Sequence, residues 1–219
     1  MQASIDLAKE ARKYVRDMNI TASNKKREGI SQKKKKTGSQ TGWNREDQRL
    51  DAAWKLHYLH QIYREDNLKK NPEPVLRKAA GLINDPDCRW GNCLEQAAIA
   101  YFYLVDKGVQ PVWLLSLKEP GDHVFVGLGE IKEVISLERW GSDAFVCDPW
   151  ANIACRFQEY KTDWLAKMTK WAKDGKTLDT GPQKKESDPL GFIDPRRIEW
   201  ALAITTHEIE VLLRHPAKS

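Results

Sequence analysis

Trp90-Gly91-Asn92-Cys93-Leu94-Glu95-Gln96, with the apolar run 97–105 directly behind it, decides the fold. Asn92 is a good helix N-cap. Glu95 stands three residues on, where a capping box needs a carboxylate. The nine residues Ala-Ala-Ile-Ala-Tyr-Phe-Tyr-Leu-Val that follow are apolar on every side. A helix that is hydrophobic all round belongs in an interior. The stretch therefore predicts a central buried helix with Cys93 at its first position. Backbone N–H groups at a helix N-terminus stabilise a thiolate and lower its pKa. They also suit a developing oxyanion. Gly91 removes a side chain where a substrate backbone would approach. An ordinary buried cysteine is a small hydrophobe, but the N1 position after Gly-Asn favours a nucleophile.

Strand signals come after this helix. Gly108 closes it. Pro111-Val-Trp-Leu-Leu-Ser-Leu117 reads as an interior strand, and Glu119-Pro-Gly-Asp122 as a turn. From His123 to Leu128 apolar residues alternate, and Ala144 to Asp148 is a strand stopped by Pro149. Residues 131–138 fit a strand or a short helix. Strands joined by tight turns after one helix predict an antiparallel sheet packed on it, an α+β fold.

On the N-terminal side, residues 3–18 have helical spacing, and 21–42 turn to Lys, Ser, Gln and Gly, the composition of a linker. Residues 45–65 form an amphipathic helix, and Pro72 opens a shorter one through Ile83. Asp85-Pro86-Asp87 is a turn. On the C-terminal side, 160–171 is helical and 174–196 a long loop. In the last segment, Ile198, Trp200, Leu202 and Ile204 alternate as in a strand. Thr205-x-x-Glu208 then caps a short final helix, although Ile209, Val211 and Leu213 also alternate. The chain divides into an N-terminal helix and basic linker, 1–43, and a catalytic domain, 44–219.

The chain has 219 residues and a net charge of +5. From Lys25 to Lys36 there are seven basic residues against one acidic, so the rest of the chain is close to neutral. This argues against a broad nucleic-acid-binding face. The tract 25–36 reads first as a solvated linker and second as a contact for anionic lipid or nucleic acid. No apolar run approaches the roughly 20 residues of a membrane span, and residues 1–20 lack the apolar core of a signal peptide. The four cysteines, Cys88, Cys93, Cys147 and Cys155, suit a reducing compartment more than a disulfide scaffold. Their spacings are not those of zinc sites, so no metal and no cofactor is expected. A regulatory Cys88–Cys93 disulfide is a weaker reading.

Two further stretches complete a chemistry for Cys93. His123 enters a strand from Gly121-Asp122, a rigid setting for a general base. Asp148, at the end of a later strand in Val146-Cys147-Asp148-Pro149-Trp150, is placed to accept the other imidazole N–H and fix its tautomer. Trp150 would roof the pair. Each alone has a plain structural reading, as a strand-end histidine and an Asp-Pro turn.

Taken together, Gly91-Asn-Cys-Leu-Glu95, Gly121-Asp-His-Val-Phe-Val126 and Val146-Cys-Asp-Pro-Trp-Ala-Asn152 resemble the Cys, His and Asp motifs of papain-like and transglutaminase-like bacterial effector and toxin domains. The likeness covers about 85–155. It implies a papain/transglutaminase-like core, with Cys93 as nucleophile, His123 as base and Asp148 as orienter. The sequence lacks the Gln that precedes the papain nucleophile. Asn92, Gln96 and Asn84 are candidate side-chain oxyanion donors beside the Cys93 N–H. The implied activity is cleavage of a peptide bond or deamidation of a glutamine in a protein substrate, through a thioester. Amine transfer of the transglutaminase type is the alternative, and so is a non-enzymatic binding module. The implied setting is a secreted or injected protein acting in the cytoplasm of a target cell. Its producer would need an immunity or inhibitory partner.

Overall fold

The computed structural model describes residues 1–27, 51, 54–57, 59–61, 63, 68–118, 121–131, 140–179, 192–202, 204 and 208–216. In chain order these form α1 (Ile5–Asp17), β1 (Lys25–Arg27), α2 (Pro72–Asn84), α3 (Cys93–Asp106), β2 (Val112–Leu117), β3 (Val124–Leu128), β4 (Phe145–Asp148), β5 (Ile153–Arg156), α4 (Phe157–Lys173), β6 (Lys176–Asp179), β7 (Phe192–Ile193), α5 (Glu199–Leu202) and β8 (Ile209–His215). Short 3₁₀ turns lie at Pro86–Cys88 and Pro195–Arg197. Five strands make one antiparallel sheet in the order β5-β4-β3-β2-β8. The architecture is α+β, with a buried helix against an antiparallel sheet.

α3 is the centre, as its composition requires. Ala97, Ala98, Ala100 and Leu104 are fully buried, and the helix packs on β2, β3 and β4. Small alanines let a helix backbone come close to a sheet, so this composition suits a wedge between layers. Every residue of β3 is buried, as in a strand covered on both faces. Gly108, at φ +73°, follows the helix in the left-handed conformation that favours glycine.

α1 is no detached appendage. Its Leu7, Ala8, Ala11 and Val15 are buried in the main core, and it packs on α3, β4 and β5. Ser4 caps it, its hydroxyl accepting the Leu7 N–H at 3.3 Å.

The linker reading of 21–42 is overturned for the part described. Thr21 forms a parallel bridge to Trp90, and Lys25–Arg27 pair antiparallel with β6. Local polarity hid this, because the pairing partners lie far along the chain. The remainder, with the basic tract beyond Arg27, lies outside the described residues. So do most of 131–138 and the middle of the 174–196 loop. That loop also contains β6 and β7, and its two ends therefore fold as strands. Of the expected 45–65 helix, positions 51, 54–57, 59–61 and 63 are helical.

In the C-terminal segment a short helix stands where the first strand is expected, and the alternative reading of 209–213 as a strand holds. Residues 199–202 are helical, and 209–215 form β8, an edge strand on β2. The buried residues Ile198, Ala201 and Ile204 are three apart, a helical interval inside a pattern that also alternates. A register shift between Leu114 and Leu115 breaks the burial pattern of β8. β5 was not foreseen. It follows a turn closed by Asn152 N–H on Pro149 O (3.1 Å), with Asn152 at φ +59°.

Candidate functional site

Cys93 is the first residue of α3 and is buried. The residue pattern of a capping box is present, and its Glu95 half is tight: Glu95 Oε2 accepts the Asn92 N–H at 2.8 Å. Glu95 is itself buried, and its Oε1 accepts from the Tyr63 hydroxyl at 3.3 Å. Gln96 Nε2 donates to Gly91 O at 2.9 Å, tying the entry turn back onto the helix. The start of α3 is thus fixed from both sides.

His123 stands at the head of β3. Its carbonyl accepts the Leu117 N–H at 2.9 Å, and Gly121 N–H donates to Lys118 O at 2.8 Å. A Cβ on Gly121 would fall 2.6 Å from Leu117 Cβ, so glycine is required for the close turn. β3 and β4 pair with Val126 opposite Cys147, and one step further the ladder sets Phe125 opposite Asp148. His123 shares the face of Phe125 and so meets Asp148 diagonally. His123 Nε2 lies 2.8 Å from Asp148 Oδ2, with both side chains fully buried. A carboxylate only accepts, so Nε2 carries the proton. In the neutral ring Nδ1 then holds the lone pair.

Asp148 has two further donors. Tyr160 Oη donates to Oδ2 at 3.0 Å and Ala151 N–H to Oδ1 at 2.9 Å. Three bonds fix the carboxylate, and burial with Asp148 beside it pushes the Tyr160 phenol well above its ordinary range. The imidazole is boxed by rings, with centroids at 4.7 Å for Trp164, 5.2 Å for Trp150 and 6.0 Å for Phe125. Trp150 is one of three rings around the imidazole, and Trp164 is nearer to it.

The backbone N–H of Val124, the residue after His123, is near enough to favour the Cys93 thiolate. The thiol therefore sits at the head of the same strand. The expected low thiol pKa is not found. Burial pushes Cys93 well above the ordinary thiol range, and the carboxylates of Asp122, Glu95 and Asp148 add to this. The helix N-terminus is present, but desolvation outweighs it.

The N-terminal arm lies along the turn that leads into Cys93 and along Trp150. Thr21 N–H donates to Arg89 O and Gly91 N–H to Thr21 O, both at 3.0 Å. Asn92 Oδ1 accepts the Ser23 N–H at 3.0 Å and the Asn24 N–H at 3.3 Å. Asn92 Nδ2 donates to Ser23 Oγ at 3.0 Å, and Trp150 Nε1 to Asn24 Oδ1 at 3.0 Å. The Lys25 ammonium donates to Trp150 O and lies 4.0 Å from the Trp150 ring centroid and 4.8 Å from that of Trp171. Burial holds Lys25 well below the usual lysine range, against the pull of Asp148.

These contacts revise several expectations. The open space proposed beside Gly91 is filled: a Cβ there would lie 2.8 Å from Glu95 Cβ and 3.4 Å from Ile20 Cγ2. The amides of Asn92 and Gln96 serve the arm and the entry turn, which makes them positioning residues with the arm docked. Asn84 lines a cleft with Asp106 and Lys107, at the opposite end of α3 from Cys93. Cys88 and Cys93 are both free thiols. Tyr160, Trp164, Trp171 and Lys25 belong to the site and were not singled out in sequence. Only their aromatic and cationic character signals them, and nothing local sets them apart from the chain's other tryptophans and lysines.

Among the described residues no helix is long and apolar enough to cross a membrane. Comparison with known proteins finds no match to a family model, a curated protein or a solved structure.

Proposed function

We propose that the chain is a thiol hydrolase of papain/transglutaminase-like type, acting on a protein substrate with Cys93 as nucleophile, His123 as base and Asp148 as orienter. The observation that carries this reading is the buried 2.8 Å bond between His123 Nε2 and Asp148 Oδ2, at the strand head where the Cys93 sulfur is held. Burying a carboxylate and an imidazole is costly in packing terms alone. Clusters of desolvated ionisable groups of this kind concentrate at functional sites.

In the proposed reaction His123 Nδ1 takes the Cys93 proton, and the sulfur attacks a peptide carbonyl or a glutamine side-chain amide. The Sγ–C bond forms and the C–N bond breaks. The proton held by His123 leaves on the amine or ammonia. Water then attacks the thioester, with its proton passing through His123 to the departing thiol. Asp148 stabilises the imidazolium formed between these steps. The Cys93 N–H and its neighbours at the α3 N-terminus face the developing oxyanion. In this reading substrate displaces the arm from the entry turn of α3 before turnover. The reading extends to a secreted or injected bacterial effector or toxin that modifies one protein of its target.

The test is intact mass spectrometry of candidate target proteins incubated with the chain and with Cys93→Ala. Peptide fragments mean proteolysis, a gain of about one dalton means deamidation, and an added amine means transamidation. Cys93→Ala should lower the rate by about a thousandfold or more. The burial and raised pKa of Cys93 favour a second reading, a non-enzymatic binding module. Full biological activity in Cys93→Ala would establish that module and end the enzyme reading.

A further inference from the structure

The arm passes the site as a bridge at Thr21, a turn at Ser23-Asn24 and the start of β1 at Lys25. From Thr21 to Lys25 it passes along Arg89, Gly91 and Asn92 and then along Trp150, and each of these residues gives or takes a hydrogen bond. Two of the contacts are backbone to backbone and indifferent to arm sequence. The Lys25 side chain makes the chemically selective contact. Its stem carries the ammonium inward to two tryptophan faces and one carbonyl oxygen, the set of groups that recognises an alkylammonium ion.

The location of this slot is as informative as its composition. Trp150 forms one wall and also packs on His123, at 5.2 Å between ring centroids. The Lys25 ammonium is near enough to Asp148 to feel its charge. Trp171 meets Trp150 edge to face at 5.2 Å, and Trp164 stacks on Trp150 at 6.3 Å, so the walls are held by α4. A lysine needed only to dock the arm has no reason to be stacked on the ring that also packs against the imidazole. An exposed residue on β1 would serve.

We propose that the slot between Trp150 and Trp171 is a binding site for the side chain of a lysine in the substrate, and that Lys25 occupies it as an intramolecular stand-in. This rests on the hydrolase reading for the word substrate, and it adds the chemical class: a polypeptide bearing a lysine. Residues 21–25 mark the path of that polypeptide across the entry turn of α3. The docked arm and the substrate then compete for one groove.

The experiment uses the full chain carrying Lys25→Ala, which empties the slot and leaves the other arm contacts in place. It is titrated with n-butylammonium chloride and, at matched ionic strength, with n-butanol, following tryptophan fluorescence and thermal melting. Lys25→Ala should bind butylammonium saturably and at least about tenfold more tightly than butanol, and its melting temperature should rise with the ion. Wild type should show neither effect, and adding Trp171→Ala should abolish both. Alkylation of Cys93 by iodoacetamide, mapped by mass, should be faster in Lys25→Ala and slowed again by butylammonium. Equal binding of butanol, no saturable binding, or no change in Cys93 alkylation overturns the proposal. If Lys25→Ala loses its native circular dichroism, Lys25→Gln is titrated instead with the same criteria. None of these readouts needs turnover. An inactive enzyme with a cation-selective slot would end the hydrolase reading alone, and an active enzyme with no such slot would end the lysine assignment alone.

Discussion

Cys93 shows how one residue is pulled two ways. Its place at the head of α3 favours the thiolate, but its burial and the nearby carboxylates of Asp122, Glu95 and Asp148 favour the thiol, and the second influence prevails. The sign of the pH dependence follows. Alkylation needs the thiolate, and a raised pKa means that the thiolate appears only above the ordinary cysteine range. Iodoacetamide modification of Cys93 should therefore be slow at neutral pH and keep rising with pH beyond the range in which an exposed thiol levels off. A rate that levels off below about pH 8 would mean that the thiol is not desolvated in solution. His123 and Asp148 were legible because each stands beside a local punctuation mark, Gly121 before one and Pro149 after the other. Lys25 and Tyr160 have no such mark, and only the tertiary contacts single them out.

The entry turn and first turn of α3 form the element on which the site depends. Gly91 is hemmed in by Glu95 on one side and Ile20 on the other, and its N–H is given to Thr21 O. A methyl group at Gly91 would meet Glu95 Cβ at 2.8 Å, where neither backbone can yield easily. Gly91→Ala should destabilise the fold by about 1–3 kcal/mol, as overpacking does. Equilibrium urea unfolding against wild type measures it, and an unchanged midpoint would show that the turn can shift. The capping signal was readable in Asn92 and Glu95. The second use of the Asn92 side chain, as the anchor of Ser23 and Asn24, was not, because those partners are nearly seventy residues away.

At the scale of the whole molecule, α1 and the arm are structural parts of the body. Ala11 is fully buried where α1 packs on α3 and the sheet. Ala11→Glu would place a carboxylate there with no room and no partner, at a cost of several kcal/mol. The expected result is a chain whose α1 is released first, with trypsin cleaving within residues 9–27 at concentrations that leave wild type intact. Equal protection of both chains would show that α1 contributes little to the fold. The same release should loosen the entry turn of α3, because the arm hydrogen-bonded to it begins where α1 ends.

By itself the sequence determined the buried helix, its cap, the order of the strands through Asp148 and the three residues proposed for chemistry. All of these depend on neighbours within a few positions, through periodicity, capping and turn residues. It was ambiguous from Ile198 to Leu213, where short segments satisfy both the helical and the strand interval. Only the tertiary structure decided that α1 joins the core, that residues 21–27 lie across the site, and that Cys93 is desolvated. Those outcomes come from pairings across sixty to one hundred and fifty residues, and from which surface covers which. Local polarity carries no record of either. A run of lysines and serines looks like solvent-facing linker until a sheet edge and two tryptophans are found to meet it.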